Sequence, residues 1–155
     1  MSKKHNYTLS IKWTGSKGEG TTKYDAYDRN YTISAKNKVD ILVSADAPFL
    51  GDITKYNPED LLLASLSSCH MLWYFHLCAD AGVIVIDYTD NPTGILVQNE
   101  TGSGAFSEVK LNPIVIVKEN SMVQKALELH EKAHKCCFIA NSVNFPVLNN
   151  PSCSI

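Results

Sequence analysis

One stretch of the sequence decides the fold. It reads Asn57-Pro-Glu-Asp-Leu-Leu-Leu-Ala-Ser-Leu-Ser-Ser-Cys69-His-Met-Leu-Trp-Tyr-Phe-His-Leu-Cys-Ala-Asp-Ala-Gly82. Asn57 is a preferred N-cap because its side-chain oxygen accepts a free backbone N–H, and Pro58 suits the first helical position. Gly82 is the expected residue just past a helix end. The stretch therefore predicts one long helix with defined ends.

Between these ends the apolar residues leave almost no polar stripe, and a helix that is apolar nearly all round is expected to be buried. A membrane span needs about 20 predominantly apolar residues. This run instead carries His70, His76, three serines and acids at both ends. We therefore predict a core helix and no membrane association.

The composition indicates an ordinary globular chain. With 155 residues and 45% hydrophobic content, one domain covering residues 1–155 is expected, or one protomer of an intimate dimer. The net charge of −2 lacks the basic character of nucleic-acid-binding proteins. The first residues contain no apolar run, so we expect no signal peptide and a cytoplasmic location.

The segments around the long helix read mostly as strands. Alternation and β-branched residues predict strands before the helix at residues 7–13 and 39–45, with one or two strands within residues 21–34. We expect these strands to form an antiparallel meander, with the glycine-rich residues 14–20 as a hairpin connection. After it we expect strands at residues 83–88, 95–98 and 106–118, the last with Pro113 at an edge or bulge.

A second helix is predicted to begin at a capping box, Ser121 to Gln124. Its apolar stripe comprises Val123, Ala126, Leu127, His130, Ala133, His134 and Cys137. The tail, residues 143–155, is expected to form a last strand. Strands, helix, strands, helix and strand indicate an α+β fold with the helices segregated on a sheet.

Five cysteines occur, at positions 69, 78, 136, 137 and 153. Without a secretory signal, free or redox-active thiols are expected rather than a disulfide framework. Cys69, at mid-helix, reads either as a small buried hydrophobe or as a reactive thiol that needs a nearby cation. Cys137 lies where the second helix should end, so the two thiols could meet as a peroxidatic and resolving pair.

The remaining cysteines are expected to have lesser roles. Cys136 points about 100° away from Cys137 on a helix. Cys78 is expected to pack in the core, and Cys153 is expected to be incidental in the tail.

Zinc binding is a competing interpretation of the same residues. His130 and His134 are spaced i, i+4, and Cys136 and Cys137 follow closely, while Cys69, His70 and His76 could complete a site. No Cys-x-x-Cys pair occurs, and the glutamate of the metalloprotease motif is missing. We therefore expect no metal, and core or interface roles for the histidines.

Arg29 is the single arginine beside thirteen lysines. A guanidinium can bind a carboxylate through two parallel hydrogen bonds, which an ammonium cannot do. Glu59, in the first turn of the long helix, is either a favourable first-turn carboxylate or the partner that orients Arg29 toward Cys69. Chance is the rival explanation for the single arginine.

Two motifs together resemble the OsmC/Ohr family of osmotically inducible and organic-hydroperoxide-resistance proteins. They are Asn57-Pro-Glu-Asp-Leu-Leu, ending in Ser68-Cys69-His70, and Ala133-His134 with Cys137 and Ala140-Asn141-Ser142. The resemblance covers most of the chain. Departures are Phe138, where the family commonly has proline, an aromatic-rich segment after Cys69, and the loose match of Arg29 to the Ohr-type arginine.

The resemblance implies an OsmC-like fold: antiparallel sheets wrapped around a long buried central helix plus a second helix, in an intertwined homodimer. It implies a cofactor-free thiol peroxidase that reduces organic hydroperoxides, and in some members hydrogen peroxide. Cys69 would be peroxidatic and Cys137 resolving, with Arg29 and Glu59 as the arginine and glutamate of the site. A dithiol of the lipoyl type would be the reductant. The alternative is a redox-sensing or small-ligand-binding protein with this fold and no efficient turnover.

Overall fold

The computed structural model describes residues 3–155. It divides into two compact units, Met1–Leu61 and Leu62–Ile155, and the boundary lies inside the long helix. Each unit is described by itself below. That residues 1–155 form a single domain stays a prediction.

The first unit contains a three-stranded antiparallel sheet in the order β1-β2-β3. The strands are β1 (Ser10–Trp13), β2 (Tyr31–Ser34) and β3 (Ile41–Val43). The predicted meander is therefore confirmed, although each strand is shorter than its predicted segment. Residues 21–30 form turns rather than a strand, so only the end of the Tyr- and Thr-rich segment enters the sheet.

Gly15 fixes the base of the long connection between β1 and β2. The Asp28 N–H donates to the Gly15 carbonyl at 2.8 Å, and the Trp13 indole N–H donates to the Asp28 carbonyl at 2.9 Å. A Cβ at Gly15 would lie 1.9 Å from the Asp28 carbonyl oxygen. Only glycine permits this approach, which holds the segment just before Arg29 against the end of β1.

The long helix α1 spans Pro58–Asp80. At its start the Asn57 Oδ1 accepts the Asp60 N–H at 2.8 Å, and the Asp60 carboxylate accepts the Asn57 N–H at 3.2 Å. This reciprocal pair is a capping box. At its end Gly82 has φ +71°, and the Val83 N–H donates to the Cys78 carbonyl at 2.9 Å. Both predicted helix ends are confirmed.

Burial of α1 is less complete than the sequence predicts. The buried residues form one stripe, comprising Leu66, His70, Tyr74, Leu77 and Cys78. Leu72, by contrast, is 62% exposed. An apolar pattern predicts apolar surroundings and does not specify which chain provides them, and this chain leaves part of the apolar α1 surface exposed.

The length and composition of α1 also satisfy those of a membrane-crossing helix, with a mean hydropathy of 1.3. This is weak evidence, because the core helix of a soluble protein satisfies the same criteria. The absence of membrane association stays a prediction.

The second unit contains two three-stranded sheets and the second helix. One sheet has the order β4-β7-β9, formed by Val85–Asp90, Pro113–Val117 and Ser152–Ser154. The other has the order β5-β6-β8, formed by Thr93–Gln98, Gly104–Leu111 and Val147–Asn149. The C-terminal strands β8 and β9 pair in parallel with β6 and β7, and the other pairings are antiparallel. The predicted α+β class is confirmed.

Two strand predictions in this unit were wrong in their boundaries. The expected single strand at residues 106–118 is two strands, β6 and β7, in different sheets. Pro113 has no N–H for a ladder, and the Asn112 N–H donates to the Asp90 carboxylate at 2.7 Å instead, so pairing breaks there. The expected last strand is likewise two short strands, and Asn150 and Pro151 separate them.

The second helix, α2, spans Val123–Cys136. The predicted capping box does not form: a 3-10 turn, Asn120–Met122, precedes α2, and the N-cap residue Met122 makes no side-chain cap hydrogen bond. The predicted stripe is largely confirmed, since its buried helical members are Ala126, His130 and Ala133, to which Leu129 must be added. Ala126, Leu129 and Ala133 share a core with Tyr74, Leu77 and Cys78 of α1 and with Val115 and Val117.

Candidate redox site

Cys69 and Cys137 lie against each other. Cys69 is at the middle of α1 and is half-buried, whereas Cys137, the residue after α2, is 1% exposed. Burial, and next the neighbouring Cys69 thiol, raise the pKa of Cys137 to about 11. The Cys137 Sγ also accepts the Ala140 N–H at 3.4 Å. Both cysteines are free thiols.

This arrangement separates the two thiols by accessibility. A half-buried thiol can meet a solute, whereas a fully buried one cannot. The raised pKa keeps Cys137 protonated at neutral pH, and a protonated thiol is a poor nucleophile. Cys69 can therefore react first, and Cys137 is placed to react only with Cys69.

The other three cysteines do not join this pair. Cys78 is buried in the core, as predicted, and burial raises its pKa. Cys136 is the last residue of α2 and is half-buried. Cys153 belongs to β9 and packs against the same core as Cys78. The tail is tied to β7 by parallel pairing, and the expectation that Cys153 has only an incidental role stays a prediction.

Arg29 is engaged with its own segment of the first unit. Its guanidinium donates to the carbonyl oxygens of Tyr24 and Tyr27. It also lies 4.3 Å from the ring centroid of each tyrosine, within the range of a cation–π interaction. The two rings and two carbonyls hold the cation in place.

Glu59 is half-buried in the first turn of α1. Burial, and next the Glu59 carboxylate, raise the pKa of the Tyr31 hydroxyl, which places Glu59 beside β2. Within residues 3–155 the ion pairs do not include one between Arg29 and Glu59. The predicted bidentate pair is therefore not formed in this structure.

A buried histidine pair was not predicted. His70, next to Cys69, is 0% exposed, and His130, on α2, is 1% exposed. The His70 Nε2 lies 3.0 Å from the His130 Nδ1, and the Tyr74 ring stacks on His130 with centroids 3.9 Å apart. Burial is the main cause that lowers the pKa of His70 to about 4 and the pKa of His130 to about 3. Only the position of His130 in the apolar stripe hinted at this contact.

Aromatic side chains adjoin the thiols. Trp73 follows Cys69 by one helical turn, and Phe138 follows Cys137 directly. Their rings meet edge to face with centroids 5.6 Å apart. Phe138 is 64% exposed, so this aromatic pair presents apolar surface to solvent beside the redox site.

The zinc interpretation gains no support from the geometry. Across residues 3–155, no group of three or more His, Cys, Asp or Glu side chains is arranged to hold a metal ion. His70 and His130 each direct one ring nitrogen at the other. His76 is on the surface, 3.5 Å from the Asp80 carboxylate.

The histidine pair predicts a loss of stability in mild acid. Because the folded-state pKa values of about 4 and about 3 lie below that of free imidazole, the unfolded chain binds more protons, and stability falls as the pH drops below about 6.5. Between pH 6.5 and pH 5 we expect the free energy of unfolding to fall by about 3 kcal/mol. Urea titrations at both pH values measure it.

The control is the double variant His70→Gln with His130→Asn, which removes both imidazoles. Its stability should change much less over the same interval, in which carboxylates of ordinary pKa stay ionised. Equal slopes for the variant and the wild type would mean that the two imidazoles do not cause the acid sensitivity.

Comparisons with known proteins agree with the fold. The family model for OsmC-like proteins matches residues 51–149. An OsmC-like protein of unknown function from Vibrio cholerae is 32% identical, with a TM-score of 0.85 over 96% of this chain and 99% of its own. A comparison with curated proteins finds no match.

More distant structures share the same fold. An organic hydroperoxide resistance protein from Elizabethkingia anophelis has a TM-score of 0.69 at 23% identity, over 98% of this chain and 100% of its own. A protein from Legionella pneumophila described as the organic hydroperoxide resistance protein OsmC has a TM-score of 0.67 at 19% identity, with the same coverage. Since the family model covers more than half of the sequence, this chain belongs to the OsmC-like protein family.

Proposed function

We propose that this protein is a thiol-dependent peroxidase that reduces organic hydroperoxides through Cys69 and Cys137. The observation that carries the proposal is the half-buried Cys69 thiol beside the fully buried Cys137 thiol. The names of the structural relatives from Elizabethkingia anophelis and Legionella pneumophila support the substrate class. The site needs no cofactor, and a cytoplasmic location remains our expectation.

The first step is attack of the Cys69 thiolate on the outer oxygen of the hydroperoxide. The O–O bond breaks, the alkoxide leaves and is protonated to the alcohol, and Cys69 becomes a sulfenic acid. The Cys137 sulfur then attacks the Cys69 sulfur. The S–OH bond breaks, water leaves with the Cys137 proton, and a disulfide forms. A dithiol, of the lipoyl type by family analogy, restores both thiols by exchange.

Arg29 and Glu59 complete the proposed site. A thiol in apolar surroundings has a raised pKa unless a cation stabilises its thiolate. Arg29 is the only guanidinium in the chain, and arginine stays charged when buried. In this structure Tyr24 and Tyr27 hold it. We propose that Arg29 leaves the two carbonyls and pairs with Glu59 when peroxide binds.

The aromatic pair favours bulky apolar peroxides. Trp73 and Phe138 offer an apolar surface beside the thiols, and burying apolar area contributes roughly 25 cal/mol per Å². Hydrogen peroxide has no apolar group to bury there. An organic hydroperoxide therefore gains binding energy that hydrogen peroxide does not.

We also propose that the protein is a homodimer. A cavity of about 680 Å³ opens between α1 and β4, lined by residues that include Met71, Phe75, Val83 and Ile86. Leu72, Ile84 and Ile86 are exposed nearby. Apolar surface of this extent on a small protein is typical of an interface.

A second candidate function is redox sensing without efficient turnover. The engagement of Arg29 with Tyr24 and Tyr27 favours it, because a guanidinium held there cannot also stabilise a thiolate elsewhere. A sensor would undergo one stoichiometric oxidation. A peroxidase would consume many equivalents of peroxide as long as a dithiol is present.

Cysteine substitutions test the redox pair. Cys69→Ser should abolish consumption of cumene hydroperoxide, and Cys137→Ser should permit one equivalent and then stop, because the sulfenic acid lacks its partner. The measurement is peroxide loss with excess dihydrolipoamide, with hydrogen peroxide as the comparison substrate and Cys136→Ser as the control. Wild-type consumption of a single equivalent would favour the sensor, and full activity of Cys69→Ser would refute the assignment.

Arg29→Lys tests the cation. Lysine keeps a charge but cannot form the bidentate pair, so the second-order rate of peroxide reduction should fall by at least tenfold with the fold intact. Stopped-flow kinetics with cumene hydroperoxide measures the rate, and Lys17→Arg in the same connection serves as the control. Should Arg29→Lys react as fast as wild type, Cys69 has another source of activation.

The dimer is tested by mass. Light scattering at micromolar concentration should give twice the chain mass of 17.1 kDa. The dimer interface is expected to bury more than about 2,000 Å² in total. Ile86→Glu should weaken the assembly by placing a charge on the apolar surface, whereas Glu100→Lys, on a polar turn, should not. A monomeric wild type would contradict the proposal.

A further inference from the structure

Two pairs of side chains join α1 to α2 near the redox site. Cys69 meets Cys137, and His70, the next residue of α1, meets His130 at 3.0 Å between ring nitrogens. His130 and Cys137 are seven positions apart along α2 and its C-terminal end, which is about two helical turns. The histidine contact and the thiol contact therefore depend on the same placement of the two helices.

We infer that the hydrogen bond between His70 and His130 fixes the distance and rotation at which Cys137 reaches Cys69. The two histidines are thus positioning residues for disulfide formation. This inference rests on the proposed function, since it concerns the second step of the same cycle.

Two neighbours surround the pair. The Asn149 side-chain amide lies 3.4 Å from the His70 Nε2. One of the two facing ring nitrogens carries the shared proton, and the other accepts the hydrogen bond. The two histidine rings are nearly parallel, with an angle of 7° between their planes. The Tyr74 ring stacks on His130 and restricts the tilt of its imidazole.

The energetics indicate that the pair is kept for geometry rather than for stability. Within the described part of the chain, the outer nitrogens, His70 Nδ1 and His130 Nε2, are buried without a hydrogen-bond partner. An unsatisfied buried polar group lowers the stability of the folded state. Two apolar side chains of similar size would avoid this cost, but they would not fix one distance and one rotation between the helices, as a directional hydrogen bond does.

Disulfide formation has strict geometric needs. The Cα atoms of a disulfide are usually 4.4–6.8 Å apart, with a narrow range of Cβ separations. In the step, the Cys137 sulfur attacks the Cys69 sulfenic sulfur, the S–OH bond breaks, and water leaves. Attack of thiolate on peroxide does not involve Cys137. Loss of the histidine contact should therefore slow the second step and leave the first unchanged.

Variants of His130 test the inference. His130→Leu removes the hydrogen-bonding ring nitrogen and keeps a buried apolar side chain. His130→Asn keeps an amide nitrogen near the Nδ1 position, whereas His130→Gln moves that amide one methylene further. Leu129→Ala, the neighbouring buried position of α2, lowers stability without removing the hydrogen bond and serves as the matched control.

The first measurement is the thiol–disulfide equilibrium of Cys69 and Cys137 in glutathione buffers, with Cys78, Cys136 and Cys153 replaced by Ser in every protein. It requires no peroxide turnover. We expect His130→Leu to disfavour the disulfide at least tenfold, or about 30 mV, with His130→Asn near wild type and Leu129→Ala unchanged. If His130→Leu does not fold, His130→Gln should show the shift and His130→Asn should not. Equal behaviour of His130→Leu and Leu129→Ala, or of His130→Gln and His130→Asn, would overturn the inference.

The second measurement separates the two steps. After one equivalent of cumene hydroperoxide, His130→Leu should consume peroxide at the wild-type rate but form the disulfide at least tenfold more slowly, so that dimedone traps the sulfenic acid. If the His130 variants shift the equilibrium but the wild type shows no turnover, the peroxidase proposal is contradicted and the positioning role is supported. If the wild type turns over but no His130 variant has an effect, the peroxidase proposal is supported and the positioning role is contradicted.

Discussion

The packing of α1 against α2 is the contact on which the rest of the candidate site depends. One stripe of α1 is buried, and its Tyr74 shares a core with Ala126, Leu129 and Ala133 of α2. Cys69 directly precedes His70 of this stripe, and Cys137 directly follows α2. The apolar contact therefore also sets the surroundings of the thiols. Burial excludes water from Cys137 and raises its pKa, whereas Cys69 stays partly accessible. A single helix–helix contact thus gives two chemically identical side chains different properties.

Polar groups at this contact are unusual, and they carry a cost. His70 and His130 are fully buried and meet through one hydrogen bond, and the Tyr74 ring stacks on His130. Buried polar pairs seldom add net stability, because the desolvation of each group offsets much of the interaction. Their value lies in direction: apolar side chains accept many relative rotations of two helices, whereas a hydrogen bond accepts few.

The sequence predicted the features that depend on local chemistry. Asn57 and Gly82 marked the ends of α1, because capping and left-handed backbone are properties of single residues. The motifs around Cys69 and Cys137 identified the family. The sequence did not predict that Pro113 separates two strands of different sheets, since that depends on where the Asn112 N–H finds its acceptor. It also did not reveal the bond between His70 and His130, because a periodic stripe shows which residues face inward and not which residues meet. Nor did it show that Tyr24 and Tyr27 hold Arg29, a contact made within an irregular segment.

The burial of Cys137 has a consequence for the return half of the proposed cycle. An external thiol can reach only the Cys69 sulfur of a Cys69–Cys137 disulfide, so Cys137 must depart as the leaving group, and a thiol of high pKa departs slowly. Once released, Cys137 remains beside the mixed disulfide and can expel the reductant again. A monothiol therefore loses this competition in most encounters. A reductant that carries a second thiol on the same molecule can attack the mixed disulfide with that thiol, form its own intramolecular disulfide and dissociate. In the proposed cycle, the inaccessible cysteine would make dithiols more effective reductants than monothiols.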